Sequence, residues 1–539
     1  MINLPLPSTS TVALHFPNIA VSAPHHLGKE FVVSFMQNGL QQTLNSDFKL
    51  LIRGYSPFTS ITISMKKPGL RMTVQVTTGQ TVLVKIPPQA EMVGSKTFEN
   101  AVVVKANNPI SLVAINEKPT SVDSTVVYPL HSWGTEYQIV TPNVGTDRYG
   151  EFTVVAWDEP TTVEVHLKAT VTYQGQSYPR GSVLPIQLKP FQAAQLQSPA
   201  DMSGTRVVAQ KPVAVFTGHT CLARLTQCDH LVEQLQPVSS WGNTFIVPPL
   251  PFDTQSDIVY VSTSQSTHVE SQHGMSRSAR NLRAGRSTLY GLQAPNTLYL
   301  SANAGIQVIA FGDGGNKDSI TYDPFFMTIP DVSSYCLSHN VFALEGYENY
   351  VLLIVKTSEV AGIMLNKMPL GNTMWVPIPG TEYSWARQSL GSQFAVHTVE
   401  HKTSPFGALS MGIREQKSYG LLAVCDSGEC PTPTSTSLFP SVSKMGQWRM
   451  AKPHQNGFLW VGCLWRSLSI PAASAKVSKH DLLELKFGFS LVLQGLVALR
   501  GDNSTSRFRR GYMVNKCIPL QLIRELQDCG GWKGPLKIF

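Results

Sequence analysis

The chain has 539 residues, 42% of them hydrophobic and only 14% charged, which suits several domains or one large repeated assembly with well-filled cores. Its net charge of +8 is uneven. Residues 444–539 carry 15 Lys plus Arg against 5 Asp plus Glu, and the rest carries 28 against 30. The body therefore lacks the basic, aromatic-interleaved stripe of a nucleic-acid binder, and no apolar run of 18 residues exists for membrane insertion.

The opening segment, 1–27, has no basic start and no unbroken apolar run, so it does not read as a signal peptide. From residue 28 the pattern is one of short strands separated by Pro, Gly, Asn and Asp turns. A first β unit, 28–142, contains "DFKLLIRGYSPFTSITISM", "ENAVVVKA", "NNPISLVAIN" and "YPLHSWGTEYQIVTP". A second, 143–250, repeats it as "GEFTVVAWDEPTTVEVHL", "GTRVVAQ", "QKPVAVFTGH" and "QPVSSWGNTFIVPPL". A third, 251–334, offers "SDIVYVSTSQSTHVESQ", "NTLYLSA" and "NAGIQVIAFG". Pro109, Pro212 and Gly305 hold matching places, and Trp133 and Trp241 stand 108 positions apart. Both tryptophans are expected to plug a core or a joint between units. A fourth unit, 335–427, is written in the same style.

In "TTVEVHL", Val163, Val165 and Leu167 face one way and Thr162, Glu164 and His166 the other, as a half-buried strand requires. Propeller blades repeat at about half this period. The fold class is therefore all-β, a tandem of repeated β-sandwich units, with a poorly ordered or partly helical C-terminal tail. A Pro/Ser/Thr linker spans 428–443, and a basic tail of unassigned fold spans 444–539. The tail holds "FGFSLVLQGLVAL", read as a buried or amphipathic helix, and the sequon Asn503-Ser504-Thr505.

"GHTCLARLTQCDH" admits three readings. His219, Cys221, Cys228 and His230 are zinc-ligand types, but their spacing is not that of a knuckle pair. Cys228, Asp229 and His230 could supply a nucleophile and base, but adjacent residues rarely face one another. The preferred reading is a disulfide, Cys221–Cys228, closing a six-residue hoop and worth about 2–3 kcal/mol. Such a bond places the chain in an oxidising compartment. Cys425 and Cys430 form a second close pair and a possible disulfide.

Other constellations are weaker. Asp158-Glu159 reads as a solvated turn rather than an acid/base pair. Asp313, Asn316, Asp318 and Asp323 offer oxygen ligands without an EF-hand's closing Glu. Arg277, Arg280, Arg283 and Arg286 would align at helical spacing. They form a possible ligand patch for sialylated or sulfated glycans, against the plainer alternative of a solvated loop. No catalytic residue, cofactor site or metal site is assigned.

"FTGHTCLARLTQCDHLVEQLQPVSSWGNTFIVPPL", "VPIPGTEYSWA", "SPFGALSMGI" and "SYG" closely resemble the N-terminal domain of the IgGFc-binding protein family, as does "GKEFVVSFMQN" near the start. The resemblance runs from about Gly28 to Gly420. It implies a secreted, mucosal, non-enzymatic binding or adhesion module with IgG Fc or mucin-type glycoproteins as partners. The cysteine-rich von Willebrand D-type domains of larger members have no counterpart after residue 430. A β-sandwich hydrolase acting on glycans, or a structural spacer, are the alternatives.

Overall fold

A computed structural model describes residues 26–39, 46–142, 148–224, 227–252, 257–426, 458–460 and 498–500, without the side chains of 223, 224, 227, 228, 458–460 and 498–500. Residues 1–434 and 435–539 form two separate compact units. In the second, Phe458–Trp460 pairs antiparallel with Ala498–Arg500. The linker, the expected helix and the sequon lie outside the described residues.

In many strands of residues 1–434, alternation places apolar side chains inside. In Thr161–His166, Thr161, Val163 and Val165 are buried while Glu164 is exposed, so the strand has one dry face. One pairing pattern then recurs four times. Val102–Lys118 runs 17 residues. Its first half pairs with Gly28–Val33 and Thr59–Met65, its second with Asp47–Gly54 and Ser121–Val127. Arg206–Arg224 does the same with Gly134–Gln138 and Thr161–His166, then with Gly150–Ala156 and Gln227–Gln234. In the third repeat the long strand is divided into Leu298–Ala302 and Ile306–Gly312, each keeping its two partners. In the fourth it is divided into Ala395–Glu400 and Gly407–Arg414.

Pro109 and Pro212 sit where the long strand changes partners. Proline cannot donate to a ladder, and the first strand of each unit bulges there, at Gly28/Glu30 and Gly134/Glu136. Gly305 takes that place in the third unit, where a Cβ would come within 2.7 Å of the Trp241 carbonyl oxygen. Pro405 precedes the equivalent bridge, Cys336 to Phe406, in the fourth.

Joints between units are also repeated. The 3-10 turns Leu130–Ser132, Val238–Ser240 and Val332–Ser334 each deliver an aromatic residue, Trp133, Trp241 and Tyr335. All three are buried. The Trp133 and Trp241 indole N–H groups donate to the carbonyls of Tyr128 and Gln236. The tryptophans are thus core plugs, and Tyr335 is a third position of the same kind.

The last strand of each unit faces the others, and the fourth unit returns to the first. Glu117 binds Lys417 at 2.5 Å, Arg414 at 3.4 Å and Lys49 at 2.5 Å. Asn340 donates to the Tyr55 hydroxyl, and the Cys425 backbone N–H donates to His26 Nδ1. One continuous core takes Leu51 and Val113 from the first unit, Phe325 from the third, and Leu352 and Leu409 from the fourth. Another joins Met36 and Trp133 to Trp157 and Phe216. The units are a closed set and not beads on a string.

One expected disulfide is corrected. Cys425 bonds Cys336, with Cα atoms 5.9 Å apart, and not Cys430. Strand Ser338–Ala343 pairs with Val424–Cys425, so pairing across the sheet brings these sulfurs together despite 89 residues of separation. Cys430 lies outside the described residues.

Glu117 tests the closure. Burial alone would raise its pKa, but Lys417 and Lys49 outweigh that and hold it below the usual carboxylate range. Its contribution is therefore present above the unfolded carboxylate's range and lost as pH falls. Glu117→Ala leaves Lys417, 4% exposed, without its partner. The expected loss is about 3 kcal/mol at neutral pH, shrinking below about pH 4, read by denaturant unfolding at both pH values.

Candidate binding surface

The Cys-Asp-His stretch is a structural seam. Asp229 and His230 are both fully buried and, as strand neighbours, point opposite ways. Asp229 Oδ1 accepts from Ser121 Oγ at 2.5 Å and from the Val122 N–H at 2.7 Å. His230 Nε2 accepts from Asn116 Nδ2 and its Nδ1 donates to the His219 carbonyl, each at 3.0 Å. Both ring nitrogens are thus engaged. Burial, then Lys118, push the His230 pKa down to about 3, and burial, then Arg148, push His219 to about 4. These rings are neutral structural groups rather than a base beside a nucleophile.

Cys221 is disulfide-bonded. The Cys228 side chain, its expected partner, lies outside the described residues, though Cys228 pairs with Ala223 in the hairpin register. The His219 Nδ1 accepts from the Cys221 backbone N–H at 3.2 Å. The zinc reading would need that nitrogen or the opposite one, and a free Cys221 thiolate. Among the described residues no group of three His, Cys, Asp or Glu side chains gathers to hold a metal. Asn316 accepts from Thr321, Asp318 lies beside Lys317, and the Asp313 N–H donates to Asp257. Asp323 is buried at the joint to Ser418.

Composition gave no warning of the acids that line the same seam. Asp123 Oδ2 accepts from the Val232 N–H, Glu233 Oε1 from the Thr328 N–H, and Glu151 Oε2 from Gln197 Nε2. Burial raises all of them: Asp123, Glu151 and Asp229 well above their usual range, Glu233 to about 7 and Asp323 to about 6. A spacing signal existed, because Asp123–Val232 spans 109 positions, within one of the tryptophan period.

Of the arginines, the structure places Arg277 and Arg280 on the edge strand Ser276–Leu282, Arg283 in the following turn, and Arg286 at the head of Arg286–Leu292. A strand alternates every residue, so spacing of three puts Arg277 and Arg280 on opposite faces. This corrects the helical alignment. Arg277 Nε donates to Gln272, and Arg280 lies over the Tyr290 ring at 5.2 Å. All four remain exposed. Asp158 is exposed, and Glu159 is paired with Lys211.

A family model described as IgGFc binding protein matches residues 123–412. The chain belongs to the IgGFc-binding protein family. The human IgGFc-binding protein is 38% identical over 400 residues, which make up 74% of this chain and 7% of that relative. The chain thus spans a small part of the relative's length. Among solved structures, an adhesin described as Ca2+-stabilized, helping an Antarctic bacterium reach out and bind ice, is 8% identical. It covers 75% of this chain and 100% of its own, at a TM-score of 0.11. A tetra-tandem repeat from the extending region of a large adhesion protein is 9% identical, covers 74% and 99%, and scores 0.08. At such scores neither bears on this family's fold.

Two outcomes check the seam. Glu233 binds its proton more tightly folded than unfolded, so its stabilising effect is complete below about pH 4 and lost as pH rises through about 7. The depressed histidines act oppositely, adding stability as pH rises from about 4 to 6.5. Glu233→Gln should therefore raise melting temperature relative to the parent more at pH 8.5 than at pH 5.5. An equal shift at both values would refute the buried-acid assignment. Non-reduced peptide mapping should yield Cys221 linked to Cys228 and Cys336 linked to Cys425, and neither as a free thiol.

Proposed function

We propose that residues 28–420 form a non-enzymatic extracellular binding or adhesion module that takes IgG Fc, mucin-type glycoproteins, or both. The observation that carries this reading is 38% identity to the human IgGFc-binding protein over 400 residues. The relative's name states its ligand. The geometry supports the reading in a second way. Cys221, Asp229, His230, Asp123 and Glu233 are committed to a disulfide or to hydrogen bonds within the fold. Binding then falls to exposed turns and edge strands on a rigid scaffold. The Cys336–Cys425 disulfide fits secretion.

The test is direct capture. The full chain, immobilised, is exposed separately to IgG Fc, to Fab and to soluble mucin glycopeptides. Retention of Fc but not Fab, or of mucin glycopeptides, is expected. Retention of none of them would leave the spacer reading in its place.

A further inference from the structure

We infer that Lys168, Arg283 and Arg286 form one anion-binding patch across the joint of the second and third units, suited to sulfate or carboxylate groups of an anionic glycan. This deepens the binding-module reading and rests on it.

The patch begins with a close backbone approach. Gly204 and Gly285 both have positive φ, +88° and +68°, a conformation glycine adopts freely. A Cβ on Gly204 would come within 2.5 Å of the Gly285 carbonyl oxygen, so only glycine lets the two turns meet. That contact brings Lys168 over the turn. Its Nζ lies 3.7 Å from where a Cβ on Gly285 would stand. Arg283 and Arg286 flank Gly285 in sequence, and all three cations are exposed.

The turn is held from both sides. Thr263 Oγ1 donates to the Arg283 carbonyl at 3.0 Å, the Gly285 N–H donates to the Thr263 carbonyl at 2.8 Å, and Gln138 Nε2 donates to the Arg286 carbonyl at 3.3 Å. Both arginines are therefore carried on a fixed backbone, which lowers the ordering cost of binding.

Charge supplies the choice of ligand. Lys66, Lys67, Lys105 and Lys211 each face a carboxylate. Lys168, Arg283 and Arg286 face none among the described residues. Glu136, two residues before the Gln138 that holds this turn, pairs instead with Arg206 at 2.6 Å. Three unneutralised cations, two on this turn and Lys168 beside it, attract an oxyanion, and guanidinium forks match the geometry of sulfate and carboxylate. Arg277 and Arg280 do not belong to the patch, because their guanidinium groups are engaged by Gln272 and Tyr290.

The full chain is titrated by fluorescence anisotropy against labelled heparin, its desulfated counterpart, and a sialylated mucin glycopeptide before and after sialidase. Binding to heparin, to the sialylated glycopeptide, or to both is expected, weakening with salt and lost on desulfation or desialylation. The variant K168S/R283S/R286S should bind about tenfold or more weakly, the scale of losing at least one charge-assisted contact. R277S/R280S should stay within about threefold of the parent. The basic tail is controlled with R507S/R509S/R510S. The patch is refuted if that variant abolishes binding while the triple variant binds like the parent, or if R277S/R280S matches the triple loss. Fc capture, measured on the same samples, separates the levels. Fc retention with an unaltered triple variant sinks the patch alone. Failure of Fc, mucin and heparin together sinks the module reading with it.

Discussion

A strand buried on its outer edge must still pair its backbone N–H groups, and the assembly is organised around that demand. Gln227–Gln234 spends one edge on the long strand Arg206–Arg224. Its other edge meets Ser121–Val127, which is buried at every residue but does not join it in a ladder. Side chains take the place of carbonyls. Ser121 Oγ accepts from the His230 N–H, Asp123 Oδ2 from Val232 and Thr125 Oγ1 from Gln234, each at 2.9 Å. Acceptors recur every second residue because strand N–H groups alternate in direction.

This stitching explains why the seam is rich in Ser, Thr, Asp and Glu while lying in the dry interior. An apolar side chain at Asp123 would leave a buried N–H without an acceptor, a cost of about 1–3 kcal/mol. It also explains the raised carboxyl pKa values. A carboxylic acid can accept a backbone hydrogen bond while keeping its own proton, and so avoids burying a full charge. Glu117 is the counter-example. It reaches Lys417, Lys49 and Arg414, and those cations let it stay ionised. The seam between the first two units is held by acids whose pKa values burial raises, and the closure of the fourth onto the first by a charged cluster.

What the sequence revealed depended on whether the signal was local or shared between repeats. Alternation and turn residues are local, so the all-β class was legible, but Pro109 and Pro212 read as turns between two strands where one long strand in fact runs through and changes partners. Trp133 and Trp241 stood out because tryptophan is rare. Tyr335 did not, since it changes residue type and the spacing narrows to 94 positions. Cys336–Cys425 was hidden because nearness in sequence favoured Cys430, whereas sheet pairing decided the partner. The arginines were misaligned because a spacing of three is meaningful only on a helix, and the segment is a strand and a turn. The seam acids sit in strands whose pattern shows them as polar. Only the partner strand one repeat away reveals that this polar side is also buried.

The same repeat logic bears on where a ligand can be held. Hydrogen bonds across the first seam link positions 107–109 apart, and the Glu233–Thr328 bond links positions 95 apart. Equivalent strands therefore meet, and each unit uses its last strand to hold its neighbours. What a unit has left to vary is its far end: the edge strands and the turns joining its two sheets. Gly204 meeting Gly285 shows that two such ends can also touch, so a surface turn of one unit can borrow a lysine from the next. A composite patch of this kind requires the units to be locked together first. The buried seam is thus what gives a surface made from two units a fixed shape.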